Sequence, residues 1–188
     1  MKIKICGLRR ACDIEYVNEL LPDYIGFIFA EKSRRYVPPA EAAKLKEQLD
    51  PRIKAVGVFV DAPMDKIVTV VEQRIIDAVQ LHGSEDDGYI RKLQGRTDCP
   101  ILKAFIVRGV GDVRAAEQSP ADYVLLDGGE GSGRPFDWSQ IKNITRPYFL
   151  AGGLNLDNLQ EAIQELGPYA VDVSSGVETG GWKDYAKI

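Results

Sequence analysis

The chain has 188 residues, 45% hydrophobic and 28% charged, with a net charge of −4. That length builds one sizeable core, so a single domain over 1–188 is expected, and the composition excludes a disordered polyelectrolyte. The acidic balance argues against nucleic acid or an anionic membrane as partner, and no apolar run approaches the ~20 residues of a membrane span.

Short runs rich in Ile, Val and Phe alternate with amphipathic stretches from end to end. In chain order the pattern predicts strand Lys2–Cys6, helix Asp13–Leu21, strand Tyr24–Phe29, helix Pro39–Leu49, strand Ala55–Val60 and helix Pro63–Gln73. Strand Ala78–Leu81, helix Glu85–Leu93, strand Ile101–Phe105, helix Val113–Gln118 and strand Tyr123–Asp127 follow. Strand Tyr148–Ala151, helix Leu156–Leu166 and strand Ala170–Ser174 complete the series. Pro39 and Pro63 suit first-turn positions, and Asn155 or Asp157 can cap the helix after Gly153. Near-continuously apolar strands separated by helices mean a parallel sheet covered on its outer face. No G-x-G-x-x-G follows the first strand, and eight strands permit closure, so the expected fold is a (β/α)8 barrel. After Trp182-Lys183-Asp184 little more than one helical turn fits, so the eighth outer helix is expected to be short or missing.

Three cysteines, Cys6, Cys12 and Cys99, lack C-x-x-C spacing. Neither a disulfide framework nor a zinc knuckle is indicated, and a reduced, cytoplasmic setting is the expectation. The single histidine, His82, cannot by itself make a multi-histidine metal site. Met1-Lys2 runs straight into a strand rather than a signal peptide.

Residues able to do chemistry gather at strand ends. Cys6 closes the first strand, and Gly7 after it permits a tight turn and close ligand approach. Cys6 reads either as a small buried hydrophobe or as a base; the second role needs a thiolate, hence a pKa drawn below ~8.5. Asp127 closes the sixth strand, where a carboxylate must be paired, protonated or solvated. It either caps loop N–H groups or serves as an acid, in which case apolar neighbours and a nearby thiolate would raise its pKa. In one parallel barrel, both tips face the same mouth.

The loops add candidates, each with a structural alternative. Gly152-Gly153 and Ser175-Gly176 follow strands seven and eight, where barrels hold phosphate on backbone N–H groups, although plain turns use the same residues. The irregular glycine run Gly128–Gly133 is not a Walker loop and reads as a mobile cover. Arg35 can bind a carboxylate in bidentate fashion or sit solvated on its loop. His82 ends strand four, as a donor to ligand or as a structural partner. Asp172 points inward if Ala170–Ser174 alternates, where it would bind ligand or simply be hydrogen-bonded.

Taken together the segments resemble the phosphoribosylanthranilate isomerase family. The likeness runs through Lys4-Ile5-Cys6-Gly7, Gly26-Phe27-Ile28-Phe29, Ser33-Arg34-Arg35-Tyr36, Val56-Gly57-Val58-Phe59-Val60 and Val79-Gln80-Leu81-His82-Gly83. It continues through Leu125-Leu126-Asp127, Phe136-Asp137-Trp138, Gly152-Gly153-Leu154-Asn155 and Val171-Asp172-Val173-Ser174-Ser175-Gly176-Val177-Glu178. The resemblance implies a tryptophan-pathway Amadori rearrangement of N-(5-phosphoribosyl)anthranilate, a small phosphosugar substrate. It implies Cys6 as general base, Asp127 as general acid, Arg35 facing the anthranilate carboxylate, and Gly152, Gly153, Ser175 and Gly176 around the phosphate. His82 and Asp172 match pocket positions. No metal or organic cofactor is needed for such proton transfers, and the assembly implied is a monomer or homodimer. The histidine-pathway ribotide isomerases run the same chemistry with Asp on the first and fifth strands, whereas Ile101–Phe105 ends without a carboxylate. A catalytically silent phosphate-binding barrel would keep the glycine loops without needing both Cys6 and Asp127.

Overall fold

The computed structural model describes residues 1–129, 138–141 and 144–188. Strands β1 (Lys2–Cys6), β2 (Tyr24–Ile28), β3 (Lys54–Phe59), β4 (Ala78–Leu81), β5 (Ile101–Ile106), β6 (Tyr123–Asp127), β7 (Tyr148–Ala151) and β8 (Ala170–Val173) form one closed barrel in sequence order. Every ladder is parallel, and β8 closes on β1 with Lys4 opposite Asp172. All strand tips therefore face one rim.

Alternation along the strands divides the buried residues into two sets. Outward-facing Ile5, Ile25, Phe27, Val79, Leu81, Ile101, Val124, Leu126, Leu150 and Val171 belong to the large core shared with the helices. The barrel interior holds a smaller cluster of Leu102, Ala104, Leu125, Phe149, Ala151 and Ala170, with Tyr24, Tyr123 and Tyr169 packed below it. These rings close the lower end, with Tyr24–Phe149 centroids 5.6 Å apart, Phe149–Tyr169 5.7 Å and Tyr123–Tyr169 5.8 Å. Above them the inward layer turns polar, with Lys4, Gln80 and Asp172 all buried.

The helices are α1 (Ala11–Leu20), α2 (Pro39–Glu47), α3 (Met64–Glu72), α4 (Asp87–Gln94), α5 (Val110–Gln118) and α6 (Leu159–Leu166). Polar side chains set where they begin. The Asp13 carboxylate accepts from the backbone of Arg9 and Arg10 and starts α1 two residues earlier than predicted. Asp112 does the same for α5 through Arg108 and Gly109. Asp86, not Glu85, caps α4 by accepting from Tyr89 N at 2.7 Å. Pro39 occupies the first turn of α2 as expected, whereas Pro63 precedes α3. Neither Asn155 nor Asp157 caps α6. Asn158 stands at that boundary, and its side chain instead ties back to Asn155 N and Gly153 O. Leu159, Ala162, Ile163 and Leu166 give α6 its apolar stripe at helical spacing.

Between β6 and β7 the described residues hold only a 3-10 turn, Trp138–Ile141. Beyond β8 they hold a hairpin of β9 (Glu178–Thr179) and β10 (Trp182–Lys183), then a 3-10 turn at Tyr185–Lys187. No eighth outer α-helix occurs among the described residues, matching the expectation from the sequence. Trp182 is clamped by two guanidinium groups, with Arg9 3.8 Å and Arg10 4.6 Å from its ring centroid. That stack holds the hairpin against the start of α1. No helix among the described residues is long and apolar enough to cross a membrane.

Candidate active site

Cys6 is the last residue of β1, only 7% exposed, and its ladder neighbour on β2 is Gly26. A Cβ at Gly26 would lie 2.6 Å from Cys6 Sγ, so the missing side chain makes the room that the sulfur occupies. Gly7 follows with φ +88°, and a Cβ there would lie 2.5 Å from Arg35 Cδ. The Arg35 side chain is thus laid across the β1 tip because Gly7 is bare. Ser174, just past β8, donates its hydroxyl to Cys6 O at 3.0 Å and pins the β1 tip.

Burial pushes the Cys6 thiol above its ordinary value, and the Asp172 carboxylate adds to the rise. The ammonium groups of Lys4 and Lys183 pull the other way without prevailing. The balance favours the thiol over the thiolate that a base requires.

Asp127 closes β6 on the same rim. Its Oδ2 lies 3.3 Å from His82 Nε2, and its Oδ1 accepts from Gly129 N at 2.9 Å. Gln80 Nε2 stands 2.9 Å from the far ring nitrogen of His82 and, as donor, directs the His82 N–H at Asp127. His82 thus has a structural partner, one of the two roles open to it from sequence. Burial alone would raise the Asp127 carboxyl, but the hydrogen bond from His82, the Gly129 N–H and the Lys4 charge together hold it below its ordinary value. This corrects the expectation of a raised pKa: the decisive neighbours are donors and a cation, not apolar groups or a thiolate.

Arg35 is not free on its loop. It grips Glu178 of β9 through Nε at 2.6 Å and Nη2 at 2.7 Å, and its Nη1 makes no hydrogen bond among the described residues. Lys183 of β10, almost fully buried, reaches the same carboxylate at 2.7 Å and Ser174 O at 2.9 Å. Burial alone would raise the Glu178 carboxyl, but the bonds from Arg35 and Lys183 hold it down at about 2.

The two late glycine loops meet. Asn155 and Gly176 form a lone parallel bridge, and a Cβ on Gly176 would overlap the backbone of Leu154 and Asn155. Gly152 and Gly153 both take positive φ, +94° and +68°. A Cβ on Gly152 would crowd Gly128 N and lie 2.8 Å from Asp127 Oδ1. The cover expected over Gly128–Gly133 lies outside the described residues from 130 onward.

Asp172 does point inward, but one oxygen is committed: Lys4 Nζ donates to its Oδ2 at 2.7 Å, with Lys4 wholly buried. Asp172 Oδ1 and Gln80 Oε1 are buried without a hydrogen-bond partner in the protein. Sequence reading passed over Lys4, Glu178 and Lys183, since lysine and glutamate read as solvated surface. Strand alternation held the signal for Lys4, two residues before Cys6 and so on the same inward face. Glu85 looked like a helix opener and proves structural instead, accepting from Asp61 N at 2.8 Å, Gly83 N at 2.9 Å and Lys103 Nζ at 2.9 Å.

No cluster of metal-ligating side chains occurs among the described residues. A cavity of about 680 Å³ opens at the opposite, N-terminal end of the barrel, below the aromatic layer, lined in part by Lys54, Arg74, Asp77 and Cys99. It touches neither Cys6 nor Asp127.

The sequence profile of N-(5'-phosphoribosyl)anthranilate (PRA) isomerase matches residues 3–188. The chain belongs to this family. It is 46% identical to the N-(5'-phosphoribosyl)anthranilate isomerase of Endomicrobium trichonymphae over 192 aligned positions, covering all of this chain and 94% of that one. The Thermotoga maritima phosphoribosyl anthranilate isomerase structure superposes with a TM-score of 0.89 at 38% identity, covering 100% of this chain and 94% of that one. A phosphoribosyl anthranilate isomerase in complex with reduced 1-(o-carboxyphenylamino)-1-deoxyribulose 5-phosphate gives 0.88 at 37% identity, with the same coverage. The chain is an isomerase with the barrel of its relatives.

Proposed function

We propose that this isomerase performs the Amadori rearrangement of N-(5-phosphoribosyl)anthranilate in tryptophan biosynthesis, with Asp127 as general acid and Cys6 as general base. The observation that carries the reading is the presence of both groups on one rim, Cys6 on β1 and Asp127 on β6. Asp127 delivers a proton to the ribose ring oxygen as the anilino nitrogen expels it, giving an open-chain iminium. The iminium acidifies the adjacent C2–H, and the Cys6 thiolate removes that proton to leave an enolamine that tautomerises to the ketone. The enzyme thus starts as thiolate and carboxylic acid and ends as thiol and carboxylate.

The free site favours the second arrangement, since burial raises Cys6 and its donors lower Asp127. Both arrangements hold one proton between them, so the reactive one is a minor form within a shared titration. A broad plateau in kcat/KM is expected, falling on the acid side as Asp127 and Cys6 are both protonated and on the alkaline side as both are ionised.

The remaining residues supply binding. Arg35, steadied by Glu178, turns Nη1 to the anthranilate carboxylate. Gly152, Gly153, Ser175 and Gly176 offer backbone N–H groups to the phosphate where their loops meet. His82 orients Asp127, and Asp172 acts from beneath through Lys4.

Cys6→Ala tests the reading. Turnover of freshly prepared substrate, followed by loss of its fluorescence, should fall at least ~100-fold. Binding of the reduced deoxyribulose phosphate product analogue, followed calorimetrically, should persist. Turnover unchanged in Cys6→Ala would remove the sulfur from the mechanism, and a wild-type chain that binds the analogue without converting substrate would mark a silent barrel.

A further inference from the structure

The Lys4–Asp172 pair is hard to explain as a source of stability. Removing two charges from water costs several kcal/mol per ion, and buried pairs commonly contribute nothing net against an apolar replacement. Lys4 is nonetheless sealed completely within the barrel, facing Asp172 across the β1–β8 ladder and bonded to it at 2.7 Å. Its position fits another task. On β1 it sits two residues below Cys6 on the same inward face, and its charge acts on that side chain. Its charge also reaches Asp127 on the far side of the pocket.

We propose that Lys4, anchored by Asp172, is a positioning residue of this site: a fixed buried cation that balances the negative charge as it passes from the Cys6 sulfur to the Asp127 carboxylate. The inference rests on the acid–base reading above and adds a group that never touches substrate. During turnover Asp127 gives up a proton and becomes anionic, while Cys6 gains one and becomes neutral, so one negative charge crosses the pocket. A stationary ammonium within reach of both ends lets the charge move without water having to follow it. Asp172 supports the protonated ammonium: burial alone would lower the Lys4 pKa, but Asp172 and Cys6 outweigh it and raise it. The other charged groups facing Cys6 are Asp172 on β8, Lys183 on β10 and Arg35 on the loop after β2. Of the cations, Lys4 acts most strongly on the thiol.

The test reads the sulfur directly and needs no substrate. In a Cys12→Ser/Cys99→Ser background, the rate at which iodoacetamide alkylates Cys6 is followed by intact mass from pH 6 to 10. Lys4→Met should raise the midpoint of that profile by at least one unit, about a tenfold slower reaction near neutrality. If Lys4→Met does not fold, because it strands the Asp172 charge, Lys4→Met/Asp172→Asn removes the pair together and should still raise the midpoint, by less. In the turnover assay kcat should fall steeply with KM little changed, since Lys4 makes no contact with ligand. A midpoint that stays put in the folded Lys4 variants overturns the proposal whatever the activity does. A shifted midpoint in a chain that never turns over substrate would instead fault the Amadori reading and leave the role of Lys4 toward the sulfur standing.

Discussion

At the scale of single residues, the site is a set of charges arranged around an uncharged sulfur. Cys6 and Asp127 could be singled out in the sequence because each ends a predicted strand and is followed by glycine. Their protonation could not, because it depends on Lys4, His82, Asp172 and Lys183, which arrive from β1, the end of β4, β8 and β10. Arg35 shows the same limit: its loop was legible, its grip on Glu178, 143 residues away, was not. Asp127→Asn keeps the shape and the bond from Gly129 N but has no proton to give the ring oxygen. We expect turnover to fall at least ~100-fold and the plateau of kcat/KM to be lost. A surviving bell-shaped profile in that variant would transfer the acid role elsewhere.

At the scale of elements, strands were easier to read than helix starts. Eight apolar runs separated by amphipathic stretches carry the barrel by themselves, and β4, β6 and β7 lie where predicted. Helix starts shifted where a carboxylate satisfied backbone donors upstream, as Asp13 does for α1 and Asp112 for α5. Periodicity does not register such bonds. The loops show the tightest coupling to chemistry. Gly152 holds φ +94°, and a Cβ there would crowd Asp127 and Gly128. An alanine there carries ~1–2 kcal/mol of backbone strain and must displace one of those neighbours. Gly152→Ala should therefore lower the melting temperature by several degrees and reduce kcat more than the change in stability accounts for, measured by calorimetry beside the turnover assay. Full activity in the folded variant would show that the β7 loop does not set the position of Asp127.

At the scale of the whole molecule, the C-terminal hairpin ties the ring together near its closure. Glu178 and Lys183 bind Arg35 and Ser174, while Trp182 stacks on Arg9 and Arg10, so residues after β8 brace those after β1 and β2. The link has a pH signature. Glu178 ionises at about 2 in the fold against an ordinary 4.5, so its stabilising effect is complete above roughly pH 4.5 and is lost as the pH falls toward 2. Glu178→Gln should lower the urea midpoint at pH 7, and the gap from the unaltered chain should shrink as the pH is taken down through that window. A constant gap would place the stabilisation in packing rather than in charge.

The ring of Tyr24, Tyr123, Phe149 and Tyr169 has its own consequence for traffic. With the barrel floored by these side chains, the described residues leave no passage from the rim that carries Cys6 and Asp127 to the opposite end. A product formed at that rim therefore leaves on the side by which its precursor entered. The pace of each cycle is then open to control by anything that loiters at that threshold.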